Sequence, residues 1–322
     1  MNCLLYAFHI DNKGHATQLP IDKVPPAPKK GDGFIWLHFD RRNPQTRQVL
    51  IDDKMVDDVA TRTLLAEDSR PRTIVRGMDA LINLRGINLN PGAEPEDMIP
   101  LRFFAQHNRV ITVCGRVLKA TEDRVRQLQN QKVSPTPGGF IAGYALALSD
   151  RMAPTITDLN EQIDTLEEML DADRDEDAAA QVSDIRREAI ILRRYLAPQR
   201  DALNMLSAQA LDWISQDDQL RLRDAADQAT RITEELEAVR DRCAIVKDQL
   251  TDMRAEEMNR NMMLLSVVAA IFLPLGLLSG MMGINVGGMP WVESDMGFWY
   301  VTAIVIGIGA IQLFIFRLMK WI

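Results

Sequence analysis

MMLLSVVAAIFLPLGLLSGMM at 262–282, GIN at 283–285 and FWYVTAIVIGIGAIQLFIF at 298–316 decide how this chain is read. Each apolar span has the roughly 20 residues needed to cross a hydrocarbon core of about 30 Å. Neither contains a charged side chain. A helix in a soluble core would keep one polar face over such a length, so both spans are expected to cross a membrane.

Overall composition conceals this, because the 322 residues have a formal net charge of −8 and 47% apolar content. The stretch before the first span is long enough for one or two soluble domains. Residues 1–10 are apolar over too short a run, and lack a basic leader, so they read as a first strand and not a signal peptide. Arg254 and Arg260 precede the first span and Arg317 and Lys320 follow the second, whereas the connecting loop carries only Glu293 and Asp295. Basic flanks stay cytoplasmic, which is expected to put both termini inside and the loop outside. Three cysteines, Cys3, Cys114 and Cys243, lack C-x-x-C spacing, which suits a reducing compartment and argues against a zinc knuckle. The acidic balance argues against nucleic acid as a partner and favours cations.

Strand-forming runs occur at 4–10, 34–39, 80–88, 99–105 and 110–114, with helical periodicity at 45–66 and 116–131. An α+β cytoplasmic domain of α/β/α-like layering is expected over 1–150. In 151–260, Leu159, Ile163, Leu166 and Leu170, then Ile185, Ala189, Leu192 and Leu196, recur at helical spacing around the acidic run 171–177. This predicts an antiparallel helix pair with a solvated tip. From Leu222 through Ala225, Ala229, Ile232, Leu236, Val239, Cys243, Val246, Leu250 and Met253, apolar residues step by three and four without a break. In phase, that seam reaches Leu264, Val267 and Ile271, so the stalk and first transmembrane helix are expected to form one rod. The transmembrane domain then occupies 261–322, with spans at 262–282 and 298–316 and a loop at 283–297.

Two spans cannot enclose an aqueous path, so an ion route requires several subunits about an axis. One face of the first span reads Asn259, Met262, Ser266, Ala269, Leu273, Gly276 and Gly280, smaller and more polar than the rest. Such a face suits close helix packing or a pore wall. The loop favours the pore. Gly283 can take the backbone out of the helix, and Asn285 then presents a neutral amide. A ring of such amides can accept hydrogen bonds from the water shell of a divalent ion without stripping it. Glu293 and Asp295 would concentrate cations nearby. Asp248 and Asp252 continue the same face backward, either as a ring of pore acids or as an ordinary solvated face.

On these residues the chain resembles the CorA-type divalent metal transporters, defined by Gly-Met-Asn between two C-terminal transmembrane helices. Matches include Asn259-Arg260, Phe272-Leu273-Pro274, Met289-Pro290 and Lys320-Trp321-Ile322. Two departures stand out. The motif here is Gly283-Ile284-Asn285, and Trp291 occupies the position where an acid usually follows Met-Pro. These, with YLAPQRD at 195–201 and GINVGGMP at 283–290, resemble the zinc-transporting ZntB branch. The resemblance implies a homopentamer in the cell inner membrane, a pore lined by the first span, Gly283, Ile284 and Asn285 as selectivity loop, and Asp248 as an acidic stalk residue facing the axis. It further implies Zn2+ as transported ion, taken up with a link to protons, and no resident cofactor. A Mg2+/Co2+ channel and a zinc exporter remain alternatives.

No phosphate-cradling loop, H-E-x-x-H or nucleophile constellation marks an enzyme. Energy must then come from gradients or membrane potential, which favours divalent entry by about 4.6 kcal/mol per 100 mV. Cys243 is expected to be a small core residue more than a zinc ligand. His38 and Asp40 share a strand face and read as structural more than as half a metal site.

Overall fold

A computed structural model describes every residue except 1–2, 30, 53–54, 68, 173–176, 285–288, 292–293 and 320–322. The chain divides into two compact units, Met1–Val246 and Lys247–Ile322.

The first unit is built on a seven-stranded sheet: β1 (Leu4–Ile10), β2 (Ala16–Gln18), β3 (Phe34–Asp40), β4 (Arg72–Arg76), β5 (Asp79–Gly86), β6 (Ile99–Gln106) and β7 (Arg109–Cys114). Its order is β2-β1-β3-β7-β6-β5-β4, antiparallel throughout except for the parallel pair β3 and β7. Both faces are buried, and the period-two alternation of the strands sorts side chains between two cores. Phe34, Trp36, Ile82, Leu84 and Phe103 face one core; Ile35, Leu37, Phe39, Leu81 and Phe104 face the other. The second core is closed by α1 (Gln45–Asp52) and α2 (Asp58–Leu65) through Leu50, Ala60 and Leu64. The first is closed by α3 (Lys119–Asn130) and α4 (Pro137–Asp150), together with Leu203, Leu206, Leu222 and Ala226 from the later helices. The layering is the expected α/β/α one.

Several expectations change. The periodicity at 45–66 is two helices, because Asp57 caps a new start, its carboxylate accepting from the Ala60 amide at 2.8 Å. β2 and β4 were not anticipated: one is three residues long, and the other, at the sheet edge, is a five-residue strand with an exposed arginine at each end. The helix expected at 116–131 begins at Lys119, and α4 had no counterpart in the sequence reading.

Helices α5 (Ala153–Ala172) and α6 (Ala178–Ser207) form the expected pair, packing Leu159, Ile163 and Leu166 with Ile185, Ala189, Leu192 and Leu196. The tip residues 173–176 lie outside the described residues. Helix α7 runs from Gln216 to Met282, 67 residues, and supplies residues to both units. Its seam is buried from Leu222 to Val246, Cys243 included. It is tied to its neighbours by Arg193 Nε to Glu237 at 2.7 Å and by Arg242, whose Nε meets Glu167 at 3.0 Å and whose Nη2 reaches Asp164. Beyond Val246 the seam weakens. Leu250 and Met253 are half-buried, Leu264 is 54% exposed, and burial resumes at Val267.

Candidate functional site: the apolar helix pair

The second unit holds the last part of α7 and α8 (Gly297–Leu318), both long and apolar enough to cross a membrane. The expected second span, 298–316, lies inside α8. Large apolar side chains point outward over most of the pair: Leu265 is 70% exposed, Phe314 69% and Leu318 75%. Such a surface is stable only against lipid or other copies of an apolar helix.

One face of α7 is spoken for by α8. Val267 is only 5% exposed and Ile271 and Leu275 are partly covered. At Gly309 a Cβ would stand 3.7 Å from Leu275 Cδ1, so the two helices approach over a small residue. Gln312 Nε2 donates to the Ala270 carbonyl at 3.3 Å, a polar contact the sequence reading missed. A lone glutamine in an apolar span was the available signal.

The small-residue stripe lies on the other side. With about 100° per residue, the stripe from Asn259 to Gly280 is centred about 170° from the line through Val267, Ile271 and Leu275. Asn259, Met262, Ser266, Ala269, Leu273, Gly276 and Gly280 are all exposed, and a Cβ at Gly276 or Gly280 would touch nothing. Asp248 and Asp252 fall in the same half of the helix and are exposed too. The Ser266 hydroxyl is engaged internally, donating to the Met262 carbonyl at 2.8 Å. Close packing within the chain therefore does not account for this stripe, since α8 uses the opposite face.

Helix α7 ends at Met282, where a glycine was expected to release the backbone. Gly283 does not enter the left-handed region; its amide donates to the Ser279 and Gly280 carbonyls at 3.1 Å each, a tightened last turn. Ile284 follows, 53% exposed. Asn285 and Glu293 lie outside the described residues. Asp295 is exposed, one residue before the α8 N-cap Met296. Among the described residues of this turn, Trp291 is strained, at φ 64°. Its carbonyl accepts from the Ser294 amide at 3.1 Å and sits where a Cβ on Gly297 would collide at 2.5 Å. Trp291 also lies 6.1 Å from the Tyr300 ring. A turn of this shape needs glycine at 297.

The remaining candidates belong to the first unit. His38 is buried, bonded to the Thr112 hydroxyl at 2.7 Å and packed beside Tyr6 and Trp36. Burial pulls its pKa down to about 4, so it is a neutral core residue. Asp40 turns instead to the Arg42 amide at 2.8 Å. Among the described residues no group of three or more His, Cys, Asp or Glu is arranged to hold a metal ion.

Comparison with known proteins agrees with this plan. The family model described as "CorA-like Mg2+ transporter protein" matches residues 31–319. "Divalent cation transporter CmaX" of Pseudomonas aeruginosa is 35% identical over 99% of this chain and 97% of its own. "Zinc transport protein ZntB" of Pectobacterium atrosepticum is 31% identical over 99% of this chain and 96% of its own. Among solved structures, full-length CmaX covers 99% of this chain and 98% of its own, with a TM-score of 0.85 at 35% identity. The complete CorA magnesium transporter of Methanocaldococcus jannaschii shares the fold at a TM-score of 0.84, covering 99% of each chain at 18% identity. This chain belongs to the CorA-like family of divalent cation transporters.

Proposed function

We propose that this chain is the subunit of a homopentameric inner-membrane transporter whose cargo is Zn2+. The observation that carries the reading is the exposed small-residue stripe of α7, turned away from α8 and continued by Asp248 and Asp252. In a ring of subunits α7 lines the pore and α8 faces lipid. Gly283, Ile284 and Asn285 form the selectivity loop at the outer end. There the Asn285 amides accept hydrogen bonds from the water shell of the ion, while Glu293 and Asp295 raise its local concentration. The ion then passes along Gly280, Gly276, Leu273, Ala269, Ser266, Met262 and Asn259 and leaves past Asp252 and Asp248 into the cytoplasm. Both termini are cytoplasmic.

Zinc is supported by the 31% identical ZntB relative and by isoleucine at the middle of the Gly-x-Asn motif. The direction proposed is uptake, with protons as coupled ions. The family model's magnesium description motivates a second reading, a Mg2+/Co2+ channel. Purified protein in liposomes loaded with a Zn2+-sensitive dye tests the first. Zn2+ influx that falls at least about tenfold in Asn285→Ala supports it. Undiminished influx sinks the filter role, and Mg2+ influx equal to that of Zn2+ favours the channel. A mass in detergent of a monomer or dimer removes the pore.

A further inference from the structure

A cavity of about 780 Å3 lies among the described residues of Met1–Val246. It opens where the two parallel strands end. Arg41 and Arg42 follow β3 directly, and Gly115 and Arg116 follow β7. From β3 the chain leaves for α1 and α2 against one core; from β7 it leaves for α3 against the other. Adjacent parallel strands whose connections depart to opposite faces leave a crevice at their carboxyl ends, and open α/β sheets bind ligands there.

The lining has a clear chemistry. Six arginines border the cavity: Arg41, Arg42, Arg85, Arg116, Arg187 and Arg194. Among the described residues they outnumber the lining carboxylates, Glu67, Glu94, Glu96 and Asp97, in a chain whose net charge is −8. The carboxylates come from the α2 exit and the β5–β6 loop, the arginines from the strand ends, β5 and α6. Three guanidiniums are fixed in place. Arg85 lies 4.0 Å from the Tyr195 ring centroid and donates to the Met98 carbonyl at 3.0 Å. Arg194 lies 4.8 Å from the same ring and donates to the Tyr195 hydroxyl at 3.0 Å. Arg41 rests across Gly115, where a Cβ would stand 3.0 Å from its Nε and 3.3 Å from its Nη2. That Nε is buried without a hydrogen-bond partner. Arg41, Arg42 and Arg116 make no ion pair among the described residues. Arg85 is spent on the Ser69 and Met98 carbonyls and braces the wall; the fixed Arg41, with its unpartnered Nε and with Arg42 and Arg116 beside it, is the arrangement that captures phosphate or carboxylate groups by paired N–H bonds.

We propose that this crevice binds a small molecule carrying two or more phosphate or carboxylate groups. Its oxyanions lie against the strand ends and α6, and its remaining volume extends toward the β5–β6 loop. An ion-flux result of either sign leaves this site standing.

Calorimetric titration of the full-length chain in detergent at low ionic strength, with pyrophosphate and with citrate as probes, tests it. Saturable binding of at least one probe, with Kd below about 1 mM, is expected. It should weaken at least about tenfold in Arg41→Ala/Arg116→Ala and remain unchanged in Arg126→Ala, which removes an exposed arginine outside the cavity. Arg116→Ala alone, an exposed position with no ion pair, provides a folded variant that should still lose several-fold in affinity. Which probe prevails distinguishes phosphate from carboxylate chemistry. No binding of either probe below about 1 mM, or an equal loss in Arg126→Ala, overturns the proposal.

Discussion

Glu188 on α6 offers a quantitative test of the electrostatics beside that crevice. Burial, then the charges of Glu96, Asp158 and Glu94, push its pKa from 4.5 up to about 7, against the opposing pull of Arg187. Between those two values the folded chain binds a proton that the unfolded chain has lost. Stability therefore falls as pH rises from about 4.5 to 7, and the whole penalty is present above 7. The shift corresponds to a ceiling of about 3.4 kcal/mol, and screening at this half-buried carboxylate reduces it to about 1–2 kcal/mol. Glu188→Gln keeps the shape and removes the charge. At pH 8 the variant should unfold about 2–8 °C higher than the parent, taking about 2–4 °C per kcal/mol for a domain of this size. At pH 4.5 the two should coincide. His38 has the opposite sign: its folded pKa of about 4 lies below the ordinary 6.5, so its contribution is lost as pH falls through that window. The two slopes oppose one another in the parent, and Glu188→Gln should lose stability more steeply on acidification. Thermal unfolding of the detergent-solubilised chain, followed by tryptophan fluorescence at both pH values, measures this. An equal shift at pH 8 and 4.5, or destabilisation at pH 8, refutes the reasoning.

Three further outcomes follow from particular contacts. Gly143→Ala sets a Cβ 2.8 Å from Arg124 Nη2, which is pinned by the Phe140 carbonyl at 3.1 Å; the clash of about 1–3 kcal/mol outweighs the helix-propensity gain of about 1 kcal/mol, so thermal unfolding should move down where propensity alone would raise it. Gln312→Leu removes the bond to Ala270 and should weaken the α7–α8 pairing by about 0.5–1.5 kcal/mol, read from unfolding of the reconstituted chain in a denaturing detergent titration. Gly276→Leu meets no neighbour within the chain, so it should leave thermal unfolding unchanged while abolishing Zn2+ flux in liposomes.

How much of this was legible beforehand depended on the physical signal each element carries. The apolar spans, the Leu222–Val246 seam and the Leu159–Leu196 helix pair were visible because burial imposes a repeat over many residues. The core strands were visible from β-branched and aromatic runs, although β5 begins at Asp79 and ends at Gly86, where 80–88 was expected. Edge strand β4, with Arg72 and Arg76 exposed, carries no such run and was missed. Helix α4 was missed for the opposite reason, since nearly all of its first turns are buried and no polar face repeats. The parallel pairing of β3 and β7 depends on long-range register, as does the crevice built from Arg41, Arg116 and Arg194. No local pattern announces either. On α7 the stripe from Asn259 to Gly280 was legible by spacing, but its separation from the Gln312 contact required both helices.

The central claim is that this stripe lines an aqueous path while the opposite face of α7 does not. Single cysteines at Ser266, Ala269 and Gly276, and at Val267, Ile271 and Leu275, tested in liposomes with a membrane-impermeant thiol reagent, measure it directly. Cys3, Cys114 and Cys243 are buried in the parent chain and give a low background. The account predicts that the first three cysteines react, that Zn2+ slows their reaction, and that modification blocks flux, while the second three stay unreactive. Unreactive cysteines along the stripe, or flux that survives their modification, would contradict it.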